Sequence, residues 1–261
     1  MAQHDNLYQR TIFYDIVFNR DISREIAFML AVYTRYTDRT LQSALDIACG
    51  PGYHARAFSR RGLRAVGLDL RPEMVRFAQD QAAAEGVEVE WLAADMRDFE
   101  LAEPVDMAIT VFDGVDALLA NDDVVKHLQA VAANLTDRGI YLVEYTHPRD
   151  CSLTDYGKFQ YSGQRNGVSV EINWAINEPV FDLATGVVQT EIELRVNDHG
   201  QEQVIYDHAQ ERLLSPQEIS LLAQLSGVLE VVGWYGDFDL QQGLDNSPAS
   251  KKMIAILQKI S

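Results

Sequence analysis

The chain has 261 residues, 47% of them hydrophobic and 23% charged, which is typical of a soluble globular protein. Its 39 acidic and 22 basic residues give a formal net charge of −17, so a nucleic acid, whose phosphates are bound through Lys and Arg, is not the expected partner. No apolar stretch approaches about 18 residues, so we expect no membrane span. Cys49 and Cys151 form neither a metal-ligand nor a disulfide pattern, and residues 1–6 lack the basic start of a signal peptide. We therefore expect a cytoplasmic protein without a metal.

Residues 1–42 are predicted to form an N-terminal helical cap. Apolar residues recur there at helical spacing in two sets, Tyr8, Ile12, Phe13, Ile16 and Val17, and then Ile22, Ile26, Met29, Leu30 and Tyr33. Each set predicts a helix ahead of the first strand.

The stretch from Ser43 to Leu70 has the order strand, glycine turn, helix, strand, acid. One apolar run ends in Asp46-Ile47-Ala48-Cys49-Gly50-Pro51-Gly52, and a second ends at Asp69, 17 residues after Gly52. This order is typical of a nucleotide-binding βαβ unit, whose strand-end carboxylate accepts hydrogen bonds from both hydroxyls of a ribose. Glycines in the turn lack the Cβ that would keep a ligand away from the backbone. A purely structural tight turn is the alternative.

Two classes of nucleoside cofactor remain open for this turn. A dinucleotide site prefers G-x-G-x-x-G, and Ala55 stands at the third glycine, which the alanine-ended variant of the pattern allows. Asp46 favours the other class, because a carboxylate just before the turn repels a pyrophosphate and attracts the ammonium group of an amino acid. S-adenosylmethionine carries such an ammonium group and no phosphate.

The segment Asp46–Gly52 resembles the first motif of class I S-adenosylmethionine-dependent methyltransferases, usually D-x-G-x-G-x-G, with Ala48 in place of its first glycine. Further resemblances follow in the order of that family: Asp69-Leu70 resembles the ribose-binding strand end, Ala94-Asp95-Met96 the adenine-binding corner, and residues 105–112 the fourth strand. The resemblance covers about residues 1–150 and the last ~50 residues. It implies cofactor contacts at Tyr14, Asp46, Ala48, Gly50, Pro51, Gly52, Asp69, Leu70, Met74, Ala94, Asp95, Met96, Val111 and Phe112.

Residues 43–150 alternate between strands and helices. Start signals and periodicity predict helices over His54–Arg61, Pro72–Glu85 and Asp122–Leu135. The strands between them are apolar without alternation, as expected in a parallel sheet that is covered on both faces. The same core is expected to resume at 213–261 with a capped helix at Ser215-Pro216-Gln217-Glu218, followed by a closing strand pair at Leu229–Tyr235 and Met253–Leu257.

Residues 151–212 follow a different pattern. Apolar and polar residues alternate in three runs, which begin near Val168, Val188 and Val204, and Asn166-Gly167 marks one of the turns. We expect a three-stranded antiparallel sheet here, inserted as a lid over the active site, because such a sheet needs a surface on which to bury its apolar face.

Candidate catalytic residues follow the fourth and fifth strands. Asp113 is either a base or cation-binding group, or else a turn residue, and Glu144 and His147 end the fifth strand. Histidine is the usual side chain for a base near neutral pH, but a strand-end histidine before a proline, such as His147 before Pro148, more often packs or forms hydrogen bonds. Three aromatic residues open the insertion and are candidates for acceptor binding or for lid packing: Tyr156, Phe159 and Tyr161.

We therefore expect an α/β fold with a Rossmann-like, seven-stranded, doubly wound sheet and an inserted antiparallel β lid. The expected activity is S-adenosylmethionine-dependent methyl transfer to a small molecule by a monomer or homodimer. N-methylation is favoured over O-methylation, because no unambiguous base is present. The alternatives are a NAD(P)-dependent oxidoreductase, which Asp46 and the lack of a Tyr-x-x-x-Lys pair disfavour, and a non-catalytic module that binds S-adenosylmethionine.

Overall fold

The computed structural model describes residue 7 and residues 10–260, which divide into two compact units. Residues 21–149 and 214–260 form the core unit, and residue 7 with residues 10–20 and 150–213 forms the inserted-sheet unit. The segment 1–42, predicted as one helical cap, is therefore divided between the two units. Tyr8 lies outside the described residues.

The elements alternate along the core and become all-β in the insertion. The helices are α1 (Thr11–Phe18), α2 (Ser23–Thr37), α3 (Tyr53–Ser59), α4 (Pro72–Glu85), α5 (Asn121–Ala133) and α6 (Pro216–Ser226). The strands are β1 (Ser43–Ile47), β2 (Arg64–Asp69), β3 (Glu90–Ala93), β4 (Val105–Thr110), β5 (Leu135–Thr146), β6 (Cys151–Ser152), β7 (Asp155–Tyr156), β8 (Phe159–Arg165), β9 (Val168–Trp174), β10 (Val180–Asp182), β11 (Val187–Asp198), β12 (Gln201–Arg212), β13 (Leu229–Tyr235) and β14 (Lys252–Lys259).

The core unit is built on a seven-stranded sheet in the order β13-β14-β5-β4-β1-β2-β3. Strands β1 to β5 are parallel, and β14 inserts antiparallel between β5 and β13. This confirms the predicted doubly wound sheet and its closing strand pair. Because the parallel strands share one direction, the residues that follow β1, β2, β3 and β4 meet at the same edge, where ligands bind in open α/β sheets.

Both faces of this sheet are buried, which explains the apolar strands without alternation. Leu45 and Ala108 belong to the hydrophobic cluster beneath α5 and α6, whereas their neighbours Ala44 and Met107 belong to the cluster beneath α2 and α3. Successive strand residues point to opposite faces, so each strand must be apolar throughout its length.

The helix boundaries agree closely with the sequence prediction. Helix α4 begins and ends as predicted, and α6 has the predicted capping box, in which Ser215 and Glu218 bond to each other's backbone N–H groups. Within the described residues, no helix combines the length and hydropathy that a bilayer crossing requires.

The inserted-sheet unit contains more strands than the three predicted. Its main sheet has five strands, in which β11 pairs with β12 on one side and with β9 and β10 on the other, and β8 lies beside β9; β6 and β7 form a separate hairpin. The prediction of three strands is therefore wrong. The sequence of β8, FQYSGQR, carries little apolar alternation, and β10 has only three residues, so neither strand has a signal of its own. Both become strands because they pair with neighbours.

Candidate functional site

The turn between β1 and α3 carries three residues with left-handed backbone. Ala48, Gly50 and Gly52 have φ values of 54°, 51° and 74°. The first of these conformations is unfavourable for alanine, and a glycine occupies this place in the motif that the turn resembles. The Ala48 Cβ faces the loop after β4, because a Cβ placed on Gly114 would lie 3.1 Å from it. The loops after β1 and β4 therefore lie against each other.

Gly52 has a packing reason for lacking a side chain. A Cβ at this position would lie 2.4 Å from the Trp91 indole, which also covers Gly67 at the same distance. Trp91 of β3 thus closes one side of the turn. The glycine at this position is required by the protein's own side chain as well as by its φ.

Asp46 lies near the end of β1 and is buried, with 1% of its surface exposed. Its Oδ2 accepts a hydrogen bond of 3.2 Å from the N–H of Ala55 in the first turn of α3. Burial raises the pKa of Asp46 to about 6, against the opposing effect of His54. His54 itself lies 2.8 Å from Glu25, so Asp46 lies beside a buried pair of imidazole and carboxylate. A buried carboxylate of this kind is stabilised by a cation.

Asp69 ends β2 and connects it to the glycine turn. Its Oδ2 accepts from the N–H of Gly50 at 2.8 Å, and its Oδ1 accepts from the N–H of Arg71 at 2.9 Å. Burial raises its pKa, and these two bonds act in the opposite direction. Each carboxylate oxygen has a second lone pair, so both can still accept from a diol.

The predicted adenine-binding corner is attached to α5 by an arginine. The Asp95 carboxylate holds the guanidinium of Arg97, with Nη2 at 2.6 Å, and another nitrogen of Arg97 lies 2.8 Å from Asp123 on α5. Arg97 lowers the pKa of Asp95, so this carboxylate stays charged. Arg97 was not among the predicted site residues. Asp95 is therefore already paired at the place where the resemblance implies a bond to adenine.

The chain just after β4 is strained. Phe112 and Asp113 both have left-handed backbone, at φ values of 59° and 56°, which is rare for an aromatic residue. Two partners on β5 hold it: the N–H of Phe112 donates to Glu144 at 2.6 Å, and the Asp113 carboxylate accepts from the backbone and hydroxyl of Thr146. Loss of hydration and the neighbouring Glu144 raise the pKa of Asp113 to about 6.

Glu144 has a second partner, Lys252, at the start of β14. Lys252 was not among the predicted site residues. Lys252 donates to the other oxygen of the buried Glu144, and its Nζ lies 5.7 Å from the centre of the Phe112 ring. Residue spacing gives no signal for this lysine, because it lies 108 residues from its partner. Both Asp113 and Glu144 thus hold the backbone at the strand ends.

His147 is buried and uses both ring nitrogens. Its Nε2–H donates to the carbonyl of Asp245 at 2.9 Å, and its Nδ1 accepts from the N–H of Arg149 at 3.1 Å. These bonds connect the end of β5 to the loop before β14. A proton acceptor must have a lone pair available to its substrate, and in this structure that of His147 is occupied.

The other predicted residues fall into two groups. In the core unit, Met74 and Val111 are buried, Pro51 is buried within the turn and Leu70 is 57% exposed. Ala94 donates its N–H to the carbonyl of Asp69 at 3.0 Å, which holds the corner beside β2.

The inserted-sheet unit contains the four remaining candidates. Tyr14 lies on α1, with its ring 4.5 Å from that of Phe18, and Phe18 in turn contacts Tyr161. Tyr156 accepts from the Trp174 indole at 3.0 Å, donates to Glu211 and meets Phe159 edge to face. These rings form two aromatic groups inside one unit.

Comparison with known proteins agrees with this geometry. Residues 44–139 match the family described as "Methyltransferase domain". A dTDP-3-amino-3,6-dideoxy-alpha-D-glucopyranose N,N-dimethyltransferase of Streptomyces fradiae is 28% identical over 138 residues, which span 50% of this chain and 51% of that protein. The match thus spans about half the length of that curated relative.

Two solved structures share the fold over nearly the whole chain. An S-adenosylmethionine-dependent methyltransferase from Clostridium acetobutylicum has a TM-score of 0.76 at 15% identity and covers 95% of this chain and 96% of its own. An S-adenosylmethionine-bound amino pentose methyltransferase from Micromonospora echinaspora has a TM-score of 0.70 at 18% identity, with 93% of both chains covered. Residues 44–139 thus match a methyltransferase domain, and the chain as a whole shares the fold of these two methyltransferase structures.

Proposed function

We propose that this chain binds S-adenosylmethionine and transfers its methyl group to the amine nitrogen of a small molecule. The observation that carries the proposal is the buried Asp46 carboxylate at the glycine turn, with Asp69 at the neighbouring strand end. Asp46 would repel a pyrophosphate and suits an amino-acid ammonium group, whereas Asp69 suits a ribose diol. The donor set therefore fits S-adenosylmethionine better than a dinucleotide. The family relatives give no support to the oxidoreductase alternative.

Each chain residue has a separate task in this proposal. Asp46 would hold the ammonium group, Asp69 the ribose hydroxyls, and Asp95 with the backbone of Met96 the adenine. The bound cofactor supplies an electrophilic methyl group on sulfur, and the protein contributes alignment and exclusion of water.

N-methylation is favoured because the three candidate bases are already engaged. Asp113 and Glu144 hold strand-end backbone, and His147 is bonded at both nitrogens. A neutral amine carries its own lone pair and attacks without a base, whereas an alcohol or phenol benefits from one. The N,N-dimethyltransferase name of the Streptomyces fradiae relative points the same way.

We assign acceptor binding to three aromatic residues of the inserted-sheet unit: Tyr156, Phe159 and Tyr161. Aromatic faces attract ammonium groups and pack against sugar-like rings. If this holds, Phe159→Ala raises KM for the acceptor and leaves the affinity for S-adenosylhomocysteine unchanged. Unchanged acceptor KM in Phe159→Ala and in Tyr161→Ala would remove both residues from the acceptor site.

The first experiment is calorimetric titration of the purified chain with S-adenosylhomocysteine and, separately, with NADH. Micromolar binding of the first ligand and none of the second is expected. Turnover with S-adenosylmethionine is then measured against matched panels of primary amines and phenols, with product mass as the readout. Amine products are expected. Binding of NADH alone would refute the cofactor, and turnover of phenols alone would refute N-methylation.

The proposal includes a small-molecule acceptor, rather than a nucleic acid, and a cytoplasmic monomer or homodimer. The net charge of −17 supports the first part, because a polyanion would be repelled. Size-exclusion chromatography with light scattering measures the oligomeric state, and fractionation of the source cells determines the location.

A further inference from the structure

A buried histidine on α5 has no part in the function proposed above. The stripe of α5 that faces the sheet is otherwise apolar: Val124, Leu128 and Val131 are buried with His127, which is fully enclosed. An imidazole in such a place must satisfy both nitrogens from the protein. His127 does so, and its partners connect two parts of the candidate site.

The bonds run from the adenine-binding corner to the end of β4. His127 Nδ1 lies 2.9 Å from the backbone carbonyl of Met96, and its Nε2 lies 2.6 Å from the hydroxyl of Tyr141 on β5. The Tyr141 hydroxyl lies 2.8 Å from the hydroxyl of Thr110, the last residue of β4.

Only one arrangement of the protons satisfies all three of these hydrogen bonds. A carbonyl only accepts, so Nδ1 carries the hydrogen that bonds Met96. Burial lowers the pKa of His127 to about 4, so the ring is neutral and Nε2 accepts from Tyr141. Tyr141 in turn accepts from the hydroxyl of Thr110, a donor that lowers the pKa of the tyrosine against the effect of burial.

The hydrogen bond to the Met96 carbonyl helps to fix the orientation of the peptide group between Met96 and Arg97. The same peptide group carries the N–H of Arg97, which donates to Asp95 at 2.9 Å. His127 and Asp95 therefore fix both sides of one peptide plane, and this plane sets the orientation of the corner that faces adenine in the proposed function.

We propose that His127 is a positioning residue for the adenine of the cofactor, acting through the Met96 carbonyl and anchored through Tyr141. This inference rests on the proposed function, since it requires the corner to bind adenine. It assigns the role to Nδ1, and Nε2 serves only to hold the ring.

Two matched substitutions separate the nitrogens. The side-chain amide nitrogen of asparagine reaches the position of Nδ1, so His127→Asn keeps a donor to Met96, and Tyr141 can turn its hydrogen to Thr110. Glutamine reaches the position of Nε2, so His127→Gln keeps the Tyr141 bond and leaves the Met96 carbonyl without its donor. Both variants are polar, uncharged and similar in burial, so a general loss of packing affects them alike.

The test is calorimetric titration of both variants with S-adenosylhomocysteine and with S-inosylhomocysteine, which lacks the adenine amino group. His127→Asn is expected to bind S-adenosylhomocysteine within about threefold of the wild type, and His127→Gln roughly five- to tenfold more weakly. The wild-type preference for the adenine ligand falls in His127→Gln and persists in His127→Asn. Thermal unfolding without ligand checks that both variants are folded.

Four outcomes overturn the inference. Equal affinities of the two variants for S-adenosylhomocysteine would make His127 a structural residue only, as would an equal loss for both ligands in His127→Gln. A wild-type chain that binds neither ligand overturns the proposed function and the inference together, which distinguishes the two failures. If both variants unfold, Tyr141→Phe, which frees the ring at Nε2 and leaves the Nδ1 donor to Met96 in place, must keep the wild-type preference for the adenine ligand, and a lost preference refutes the assignment to Nδ1.

Discussion

Removing the Asp69 side chain tests the candidate site most directly. The carboxylate accepts two backbone N–H bonds, from Gly50 and Arg71, and in the proposed function it also accepts both ribose hydroxyls. Hydrogen bonds to a charged group contribute about 1.5–3 kcal/mol each, so losing two to the ribose costs about 3–6 kcal/mol. We expect Asp69→Ala to weaken S-adenosylhomocysteine by about 10²- to 10⁴-fold.

The same substitution also affects folding, and this effect must be separated from binding. The two backbone N–H groups lose their acceptor, which we expect to lower the free energy of unfolding by about 1–3 kcal/mol, because water reaches a turn more easily than a core. Asp106 supplies a matched control at the opposite edge of the sheet. Its carboxylate also accepts two backbone N–H bonds, from Gln42 at 2.9 Å and from Ser43 at 3.2 Å.

The assay compares Asp69→Ala with Asp106→Ala by urea unfolding and by calorimetric titration with S-adenosylhomocysteine. Both variants are expected to lose similar stability, and only Asp69→Ala loses affinity. An Asp69→Ala affinity within threefold of the wild type would refute the ribose assignment. A matching loss of affinity in Asp106→Ala would show instead that binding follows general stability.

Three further predictions concern the same edge of the core unit. The rise of the Asp46 pKa from 3.8 to about 6 means that the folded chain holds this proton more tightly than the unfolded chain, so stability falls as pH rises from about 4 to about 6. Asp46→Asn should therefore be more stable than the wild type at pH 8, by up to about 3 kcal/mol, with no advantage at pH 3.5. It should also bind S-adenosylhomocysteine more weakly. If urea unfolding shows the variant and the wild type to be equally stable at both pH values, the prediction is refuted. Ala48→Gly relieves a left-handed alanine and is expected to stabilise the chain by about 0–1 kcal/mol in urea unfolding, whereas a clear loss would show that the methyl group packs usefully. His147→Gln should keep kcat within about tenfold in the methyl-transfer assay, and a loss of 10³-fold would restore a base to the mechanism.

The part of the site that lies in the first βαβ unit was predictable because its residues are close together in the sequence. Asp46, Gly50 and Asp69 lie within one βαβ unit, where residue spacing fixes which side chains reach the strand ends. Residue spacing does not show that Trp91 also requires a glycine at position 52. This contact between Trp91 and Gly52 depends on the pairing of β2 with β3.

The partners of the candidate bases were not predictable. His147 was a candidate base because of its residue type and its position at the end of β5, but its bond to Asp245 joins residues 98 apart in sequence. Lys252 reaches Glu144 only because β14 pairs antiparallel with β5. His127 did leave a signal, because a histidine on an otherwise apolar helical stripe requires buried partners. Its bonds to Met96 and Tyr141 required the fold.

The buried carboxylates at this edge of the core unit lower the stability of the fold when they are ionised. Asp46 is buried beside Asp69 and the Glu25–His54 pair, and burial raises the pKa values of both aspartates. Folding therefore holds negative charge where it is costly, and a bound ammonium group would relieve that cost. Such a ligand gains most where Asp46 is ionised, so its stabilising effect should grow as pH rises through about 6. The thermal shift produced by saturating S-adenosylhomocysteine is then expected to be larger at pH 8 than at pH 5, and in Asp46→Asn this difference should largely disappear. A shift equal at both pH values in the wild type would mean that Asp46 does not face the ammonium group.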